Sequence, residues 1–520
     1  MTTADWTAIL PALCLITAAI AVVGADLWLK GRQIMLLAFI SAIGASGALG
    51  LLIAHLRLDD GVQVAFGGAL VMDHLTALLG VGVTVATLLV LFMATVDVRR
   101  RQTGFGEYFG TLLLGAAGML LLLGSNDFIT MFVSVEILSI AMYVLTGVTR
   151  RNPRSNEAAI KYLVSGAFAS AFLLMGMAYL YGVTGSIRLD QIGAALSTGT
   201  TSPMLIVGFG LLLVGFAFKI GAAPFHMWLP DVYEGAPTST TAFMAVAVKA
   251  AAFGALVRIL MVAGVGRSDL WAWPLWGMAA GTMVIGNLMA AQQTSVKRML
   301  AFSSIAHTGY GLVALSTMRA PYGSFASEGA SAALFYVFAY TFMTLGAFAF
   351  LIYLGHEVPV AGRLEPEWQD AEHLDDFAGI ARRRPWAALA MTILLISLGG
   401  FPPTVGFVGK FWLFKSAVDQ GHYALAILGV ITSLVSLFYY LRVVVVMFMK
   451  DPVHSDEKTH WTVGAVVAFS TVATLAIGIW PDAFLGAARE ATDELSAPKA
   501  VAAAPAPTDA APQVALTPLP

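Results

Sequence analysis

One cysteine, Cys14, stands in 520 residues. A single thiol closes no internal disulfide and cannot by itself ligate an iron–sulfur cluster or a zinc ion, so no redox cofactor is expected on this chain. Charge is almost as scarce. Asp, Glu, Lys and Arg make up 12 % of the residues against 58 % hydrophobic, which is too little polar surface to coat a water-soluble globule. The opening residues MTTADW carry no basic group, so the first apolar run is expected to be retained as a span rather than cleaved as a signal peptide. The net charge is −2, and with no basic patch outside the loops nothing points to nucleic acid.

What the chain does have is apolar length. Runs of roughly 18 to 25 apolar residues recur, each enough to cross a bilayer of about 30 Å as a helix. Barrel strands would be about half as long and would alternate apolar with polar residues. The expected fold is therefore an all-α integral membrane protein of about 14 transmembrane helices, near 7–27, 33–55, 73–95, 108–124, 127–149, 160–183, 204–222, 238–264, 273–292, 299–318, 330–354, 386–419, 422–448 and 461–482. Between spans eleven and twelve the polar run EPEWQDAEHLDD reads as a short amphipathic surface helix. The Ala/Pro-rich tail, 496–520, reads as disordered.

Basic residues in short loops stay cytoplasmic. Of the 29 Lys and Arg, seventeen fall in loops after odd-numbered spans and six in the other loops and the tail, which places both termini on the non-cytoplasmic side. Span seven is interrupted at Gly221-Ala222-Ala223-Pro224 and span twelve at Gly399-Gly400-Phe401-Pro402-Pro403. The interruptions are five spans apart, and an odd period inverts the second copy. Paired broken helices in corresponding positions mark a transport site built from inverted repeats. The expected organisation is a three-helix segment (1–107), a five-helix repeat (108–264, spans 4–8), its inverted copy (273–448, spans 9–13), and the last transmembrane helix with its flanks (449–495) ahead of the tail.

Six basic residues lie inside the spans: Lys219, Lys249, Arg258, Lys410, Lys415 and Arg442. An ionised side chain at the bilayer centre costs about 2.5–3.5 kcal/mol on insertion scales, so each needs a reason. Arg258, Lys415 and Arg442 lie within reach of a membrane face and fit a structural role, snorkelling or pairing to lock helices. Glu136, Lys219, Lys249 and Lys410 are too central and too many for that. A lysine removed from water binds its proton less tightly and a nearby carboxylate restores it, so such groups can exchange protons near neutral pH. Glu136 is placed to act on Lys219 in this way, with His307 and its neighbours Ser303, Ser304 and Tyr310 leading on to Lys249 and Lys410. His226, Asp231 and Glu234, after the first break, are expected to fix the shape of a loop.

The segments VEILSIAMYVL, SNEAAIKYLVSGAFASAFLLMGMAYLYGVTGS, FKIGAAPFHMWLPDVYEGAPT, QTSVKRMLAFSSIAHTGY and GGFPPTVGFVGKFWLFK resemble the antiporter-like membrane subunits of proton-pumping NADH:quinone oxidoreductase, respiratory complex I. The resemblance covers roughly residues 70 to 450. It implies two inverted five-span repeats and proton-relay roles for Glu136, Lys219, Lys249 and Lys410. Within the family the subunit N branch fits best, through PDVYEGAPT, SNEAAIKYL and Lys410, where the subunit M branch typically has glutamate; the lateral helix typical of subunit L is missing. By the same resemblance the chain is a subunit of a translocase in a bacterial inner membrane, with no cofactor of its own. NAD, FMN, iron–sulfur clusters and quinone would belong to partner subunits, and subunits M and K, the lateral helix of subunit L and lipids would be neighbours. A related multi-subunit cation/proton antiporter, a membrane-bound hydrogenase and a non-conducting scaffold subunit are the alternatives.

Overall fold

Backbone groups inside a bilayer have no water to bond, so a spanning chain must satisfy them within helices or a closed barrel. The computed structural model describes residues 2–29, 33–58, 61–101, 104–199, 201–319, 326–358, 367–452 and 460–496; the tail beyond Ser496 lies outside them. The helices are α1 (Thr3–Leu29), α2 (Ile34–Leu58), α3 (His74–Arg100), α4 (Phe105–Gly124), α5 (Phe128–Thr146), α6 (Pro153–Thr184), α7 (Leu189–Thr198), α8 (Pro203–Ile220) and α9 (Leu229–Gly235). Then come α10 (Thr238–Ala263), α11 (Ser268–Ala291), α12 (Val296–Ser316), α13 (Glu328–Tyr353), α14 (Ile380–Arg383), α15 (Pro385–Gly399), α16 (Val405–Asp419), α17 (Tyr423–Met449), α18 (Trp461–Ile479) and α19 (Asp482–Ser496). Twelve of the described helices are long and apolar enough to span by themselves. With α11 and the two-piece α15–α16, the crossings come to fourteen, and the protein is an all-α integral membrane protein.

Both expected interruptions are present. Helix α8 ends at Gly221, whose φ of +73° suits glycine, and α9 resumes at Leu229 after an irregular stretch. Helix α15 ends at Gly400, φ +86°, and α16 begins at Val405. The bundle is graded from centre to rim. The most apolar windows of α12 and α13 are wholly buried and that of α10 is 94 % buried, whereas those of α1, α2, α6 and α17 are buried only by 28 to 39 %. Ionisable groups on the central three helices are therefore shielded from lipid. Small residues let the helices approach closely: a Cβ on Gly286 of α11 would lie 2.5 Å from the Ala306 nitrogen of α12.

Four features differ from the sequence reading. Helix α6 starts at Pro153, not near 160, because Asn152 caps it and proline suits its first turn. Its 32 residues run to about 48 Å at 1.5 Å per residue, well past the hydrocarbon thickness. The run EPEWQDAEHLDD is not a helix over its described part: Glu367–Gln369 pairs antiparallel with His356–Val358, and only Leu374–Phe377 turns, as a 3-10 helix. A second small hairpin joins Gln63–Ala65 to Leu70–Met72. Two surface helices, α7 and α19, were not expected. Each buries one stripe only: Leu189, Ile192 and Leu196 in α7, and Leu485, Ala488, Ala491 and Leu495 in α19.

Candidate functional site

Every central ionisable group is tied to a polar side chain or carbonyl on a neighbouring element. Glu136, half-buried on α5, accepts a short hydrogen bond from Ser170 of α6. One turn on, at Ser139, α5 meets the end of α8: the Lys219 ammonium donates to Ser139 Oγ at 2.6 Å. Lys219 occupies the last turn of α8, where the helix dipole favours a cation. No direct ion pair joins Glu136 to Lys219. Glu136 and Ser139 are three residues apart and so share a helix face, and each bonds a group on a neighbouring helix, Glu136 through Ser170 of α6 and Ser139 through Lys219 of α8.

The break after α8 is held from three sides. Thr308 of α12 donates to the Ile220 carbonyl at 2.8 Å, the Ala223 N–H donates to Thr282 Oγ1 of α11 at 2.9 Å, and the Trp228 indole donates to the Phe218 carbonyl at 3.1 Å. Backbone groups freed by unwinding at membrane depth need such partners. The interruption thus links Lys219 mechanically to α12, the helix that carries His307.

At the centre, Lys249 of α10 donates to the carbonyl of Ser304 at 2.6 Å and to its hydroxyl at 2.5 Å, with the Tyr340 ring centroid 5.2 Å away. His307, one turn beyond Ser304, bridges two phenols: Nδ1 lies 2.5 Å from Tyr336 Oη and Nε2 lies 3.3 Å from Tyr440 Oη. Tyr440 in turn meets Ser303. A side branch runs from Tyr310 through Asn287 to Tyr439, at 3.1 and 3.2 Å. Lys410 folds back across the second break to donate to the Gly399 carbonyl at 3.1 Å, its ammonium 4.6 Å from the Tyr310 ring centroid. A cation again sits at the C-terminal end of a half-helix. Lys219, Lys249, His307 and Lys410 are all between 3 and 6 % exposed.

Residues 125–436 match the profile of the NADH:quinone oxidoreductase/Mrp antiporter transmembrane family. NADH-quinone oxidoreductase subunit N of Trichlorobacter lovleyi is 39 % identical over 490 residues, spanning 93 % of this chain and 96 % of its own length. The subunit N of Myxococcus xanthus is 39 % identical over 511 residues, with the same two coverages. The chain belongs to the subunit N family of NADH-quinone oxidoreductase. Among solved structures, a chain of respiratory complex I from Thermus thermophilus with bound aureothin is 32 % identical. It superposes with a TM-score of 0.74 over 92 % of this chain and 98 % of that one. A chain of the Mrp complex from Dietzia sp. DQ12-45-1b reaches a TM-score of 0.81 over 96 % of this chain and 98 % of its own, and at 24 % identity it shares the fold.

Within this subunit N family member the structure sorts the remaining charges. Arg258 does not snorkel: it is 0 % exposed and grips Asp73, the residue that caps α3, through two hydrogen bonds of 2.6 and 2.8 Å. Lys415 pairs with Asp419 on its own helix, and Arg442 donates to the carbonyls of Ala291 and Gln293. All three are paired, and Arg258 lies in the core, not within reach of a membrane face. Asp231 binds Lys161 at 2.9 Å and Arg298 at 3.0 Å, and Glu234 binds Arg298 at 2.5 Å, so this pair ties α9 to α6 and α12. His226 is half-buried in the stretch between α8 and α9. The sequence reading missed Ser139, Ser170, Thr308, Tyr336, Tyr340 and Tyr440. Ser139 was recoverable from its spacing to Glu136; the tyrosines carried no signal, being common in apolar runs.

Proposed function

We propose that this chain conducts protons within the membrane arm of an NADH:quinone oxidoreductase, through a mid-membrane relay of Glu136, Lys219, Lys249, His307 and Lys410. The observation that carries the reading is the bonding at its centre. The Lys249 ammonium rests on Ser304, one helical turn from a histidine whose two ring nitrogens each face a phenol. An imidazole with a hydroxyl on either side can take a proton at one nitrogen and release one from the other, so it suits transfer between lysines. Lys219, in the last turn before the first break, bonds Ser139, three residues from Glu136 on α5. Movement of Glu136 toward or away from Lys219 then biases the lysine toward the charged or the neutral form.

The two broken helices give this relay its flexibility, since unwound backbone adjoins both Lys219 and Lys410. The relay spans two inverted five-helix units, 108–264 and 273–448, and both termini face the non-cytoplasmic side. Oxidation of NADH and reduction of quinone occur in partner subunits of the complex. Subunits M and K, the lateral helix of subunit L and membrane lipids are its proposed neighbours.

Glu136→Ala and Lys219→Ala test the reading in the assembled complex. Each should lower quinone-linked NADH oxidation and proton pumping together by roughly tenfold or more, the scale of a lost proton-transfer group. Glu136→Asp should be milder, because it keeps the charge and shortens the reach by one methylene. Assembled complexes of both alanine variants that pump at the normal rate would show the pair to be structural.

A further inference from the structure

Lys249 and Ser304 meet only if α10 and α12 keep a fixed axial register, and both helices begin at the same end of the bundle. At that end the segment Asp370–Leu374 crosses from one to the other. Asp370 accepts from Thr238 Oγ1, in the first turn of α10, at 2.6 Å, and from Arg101 at the end of α3. Arg101 also donates to Asp97 at 2.5 Å, whose second oxygen receives the Ser239 N–H at 3.0 Å and hydroxyl at 2.6 Å. The first two residues of α10 are thus held by two carboxylates that share one guanidinium.

Two residues further along, the same segment takes hold of α12. The Val296 N–H, an orphan donor of the first helical turn, bonds the Glu372 carbonyl at 2.7 Å, and the Leu374 N–H bonds the Thr294 carbonyl at 3.3 Å. The Glu372 carboxylate pairs with Lys297 at 3.0 Å, and Lys297 reaches on to the Ala236 carbonyl at 2.9 Å, just before α10. Ala371 N–H bonds the Leu351 carbonyl of α13 at 3.1 Å. Asp97, Thr238, Ser239, Lys297, Asp370 and Ala371 are buried. In extended backbone alternate side chains point the same way, which is how Asp370 and Glu372 both reach inward.

Between this anchored end and Lys249 lies a π-helical turn, Met244–Val248. Such turns are locally underwound and frequently accompany functional sites. An end fixed by ion pairs followed by a turn that can shift leaves the height of Lys249 dependent on the anchor.

We propose that Asp370–Leu374 is a latch that sets the register of α10 against α12, with Asp370 as the positioning residue through which it holds Lys249 on Ser304. This assignment rests on the relay reading for its functional consequence but on the bonding above for its mechanics. Burial pushes the Glu372 carboxyl up, yet the Lys297 ammonium beside it and Arg101 hold it below the ordinary glutamate range. The Glu372 carboxylate is therefore charged at neutral pH. Its contribution is present at neutral pH and fades as pH falls through that depressed value.

The test uses the purified whole complex with Asp370→Ala, the conservative Asp370→Asn, and Thr238→Val, which removes one hydroxyl and no charge. Amide hydrogen exchange over 238–249 and 296–304 reads the latch, and proton pumping with quinone-linked NADH oxidation reads its consequence. Asp370→Ala should speed exchange at the starts of both helices and lower coupled turnover roughly tenfold, as small misplacements of reacting groups do. Thr238→Val should show the same pattern more weakly, and Asp370→Asn, which keeps an acceptor for Thr238, should retain most activity. Native exchange in α10 for Asp370→Ala overturns the latch, as does raised exchange with native turnover. Should Asp370→Ala fail to assemble, Thr238→Val decides by the same two readouts. Lys249→Ala measured alongside separates the readings: if it pumps normally the relay fails, while the exchange data still judge the latch.

Discussion

Lys410 is a lysine held by a carbonyl and an aromatic face. Its ammonium bonds the Gly399 carbonyl and lies by Tyr310, and a Cβ on Gly400 would come within 2.8 Å of its Cδ, so glycine there both permits the backbone turn and leaves the lysine room. A relay member at one end of the path needs a titratable group but not specifically a lysine. Lys410→Glu should therefore retain more pumping than Lys410→Ala or Lys410→Met in reconstituted vesicles at matched assembly. A site that only balanced a buried carboxylate would show the reverse order, since charge reversal leaves two negative charges in a low dielectric; glutamate as the poorest of the three would end the relay role of Lys410. At this scale the sequence was legible wherever a charge interrupts an apolar run, which is why Glu136, Lys219, Lys249 and Lys410 stood out. It was silent on Asp370 and Arg101. Both lie in polar stretches where charge is ordinary, and their partnership spans 269 positions.

Helices α3 and α10 are joined at both ends. Asp97 holds the start of α10 through Ser239, and Asp73, at the other end of α3, holds Arg258. Removing one partner of a fully buried pair strands the other charge and typically costs about 3–5 kcal/mol, whereas replacing both by apolar or neutral groups is often nearly neutral. Arg258→Met alone should lower the thermal stability and assembly yield of the complex sharply, and the double variant Arg258→Met/Asp73→Asn should recover much of the loss. A double variant no more stable than the single one would mean that Arg258 acts through the Leu123 carbonyl and Thr76, which it also binds, and not through the ion pair. Elements were read well from the sequence where one force dominates. Apolar length gave the spans, and the Gly/Pro clusters gave both breaks. Helices α7 and α19 carry their apolar residues as a stripe at helical spacing, which a reading of long apolar runs passes over, and the hairpins are too brief for periodicity to register.

On the scale of the whole molecule, alternating spans put all loops after odd-numbered crossings on one face. Cysteines introduced at Arg150 or Lys450, with Cys14 replaced by alanine, should react with impermeant thiol reagents from the cytoplasmic side. Cysteines at Arg188 or Arg319 should react only from the opposite side. Labelling of all four from one side would break the alternation and with it the inverted arrangement of the two five-helix units. The central claim is that Lys249 passes protons and does not merely brace α10 against α12, as it would in a non-conducting scaffold. Its most direct test is the Lys249→Ala complex, purified at normal assembly, reconstituted in vesicles and driven by NADH and quinone. The account predicts that proton pumping and electron transfer fall together by roughly tenfold or more; a fully assembled Lys249→Ala complex that pumps at the wild-type rate would contradict it.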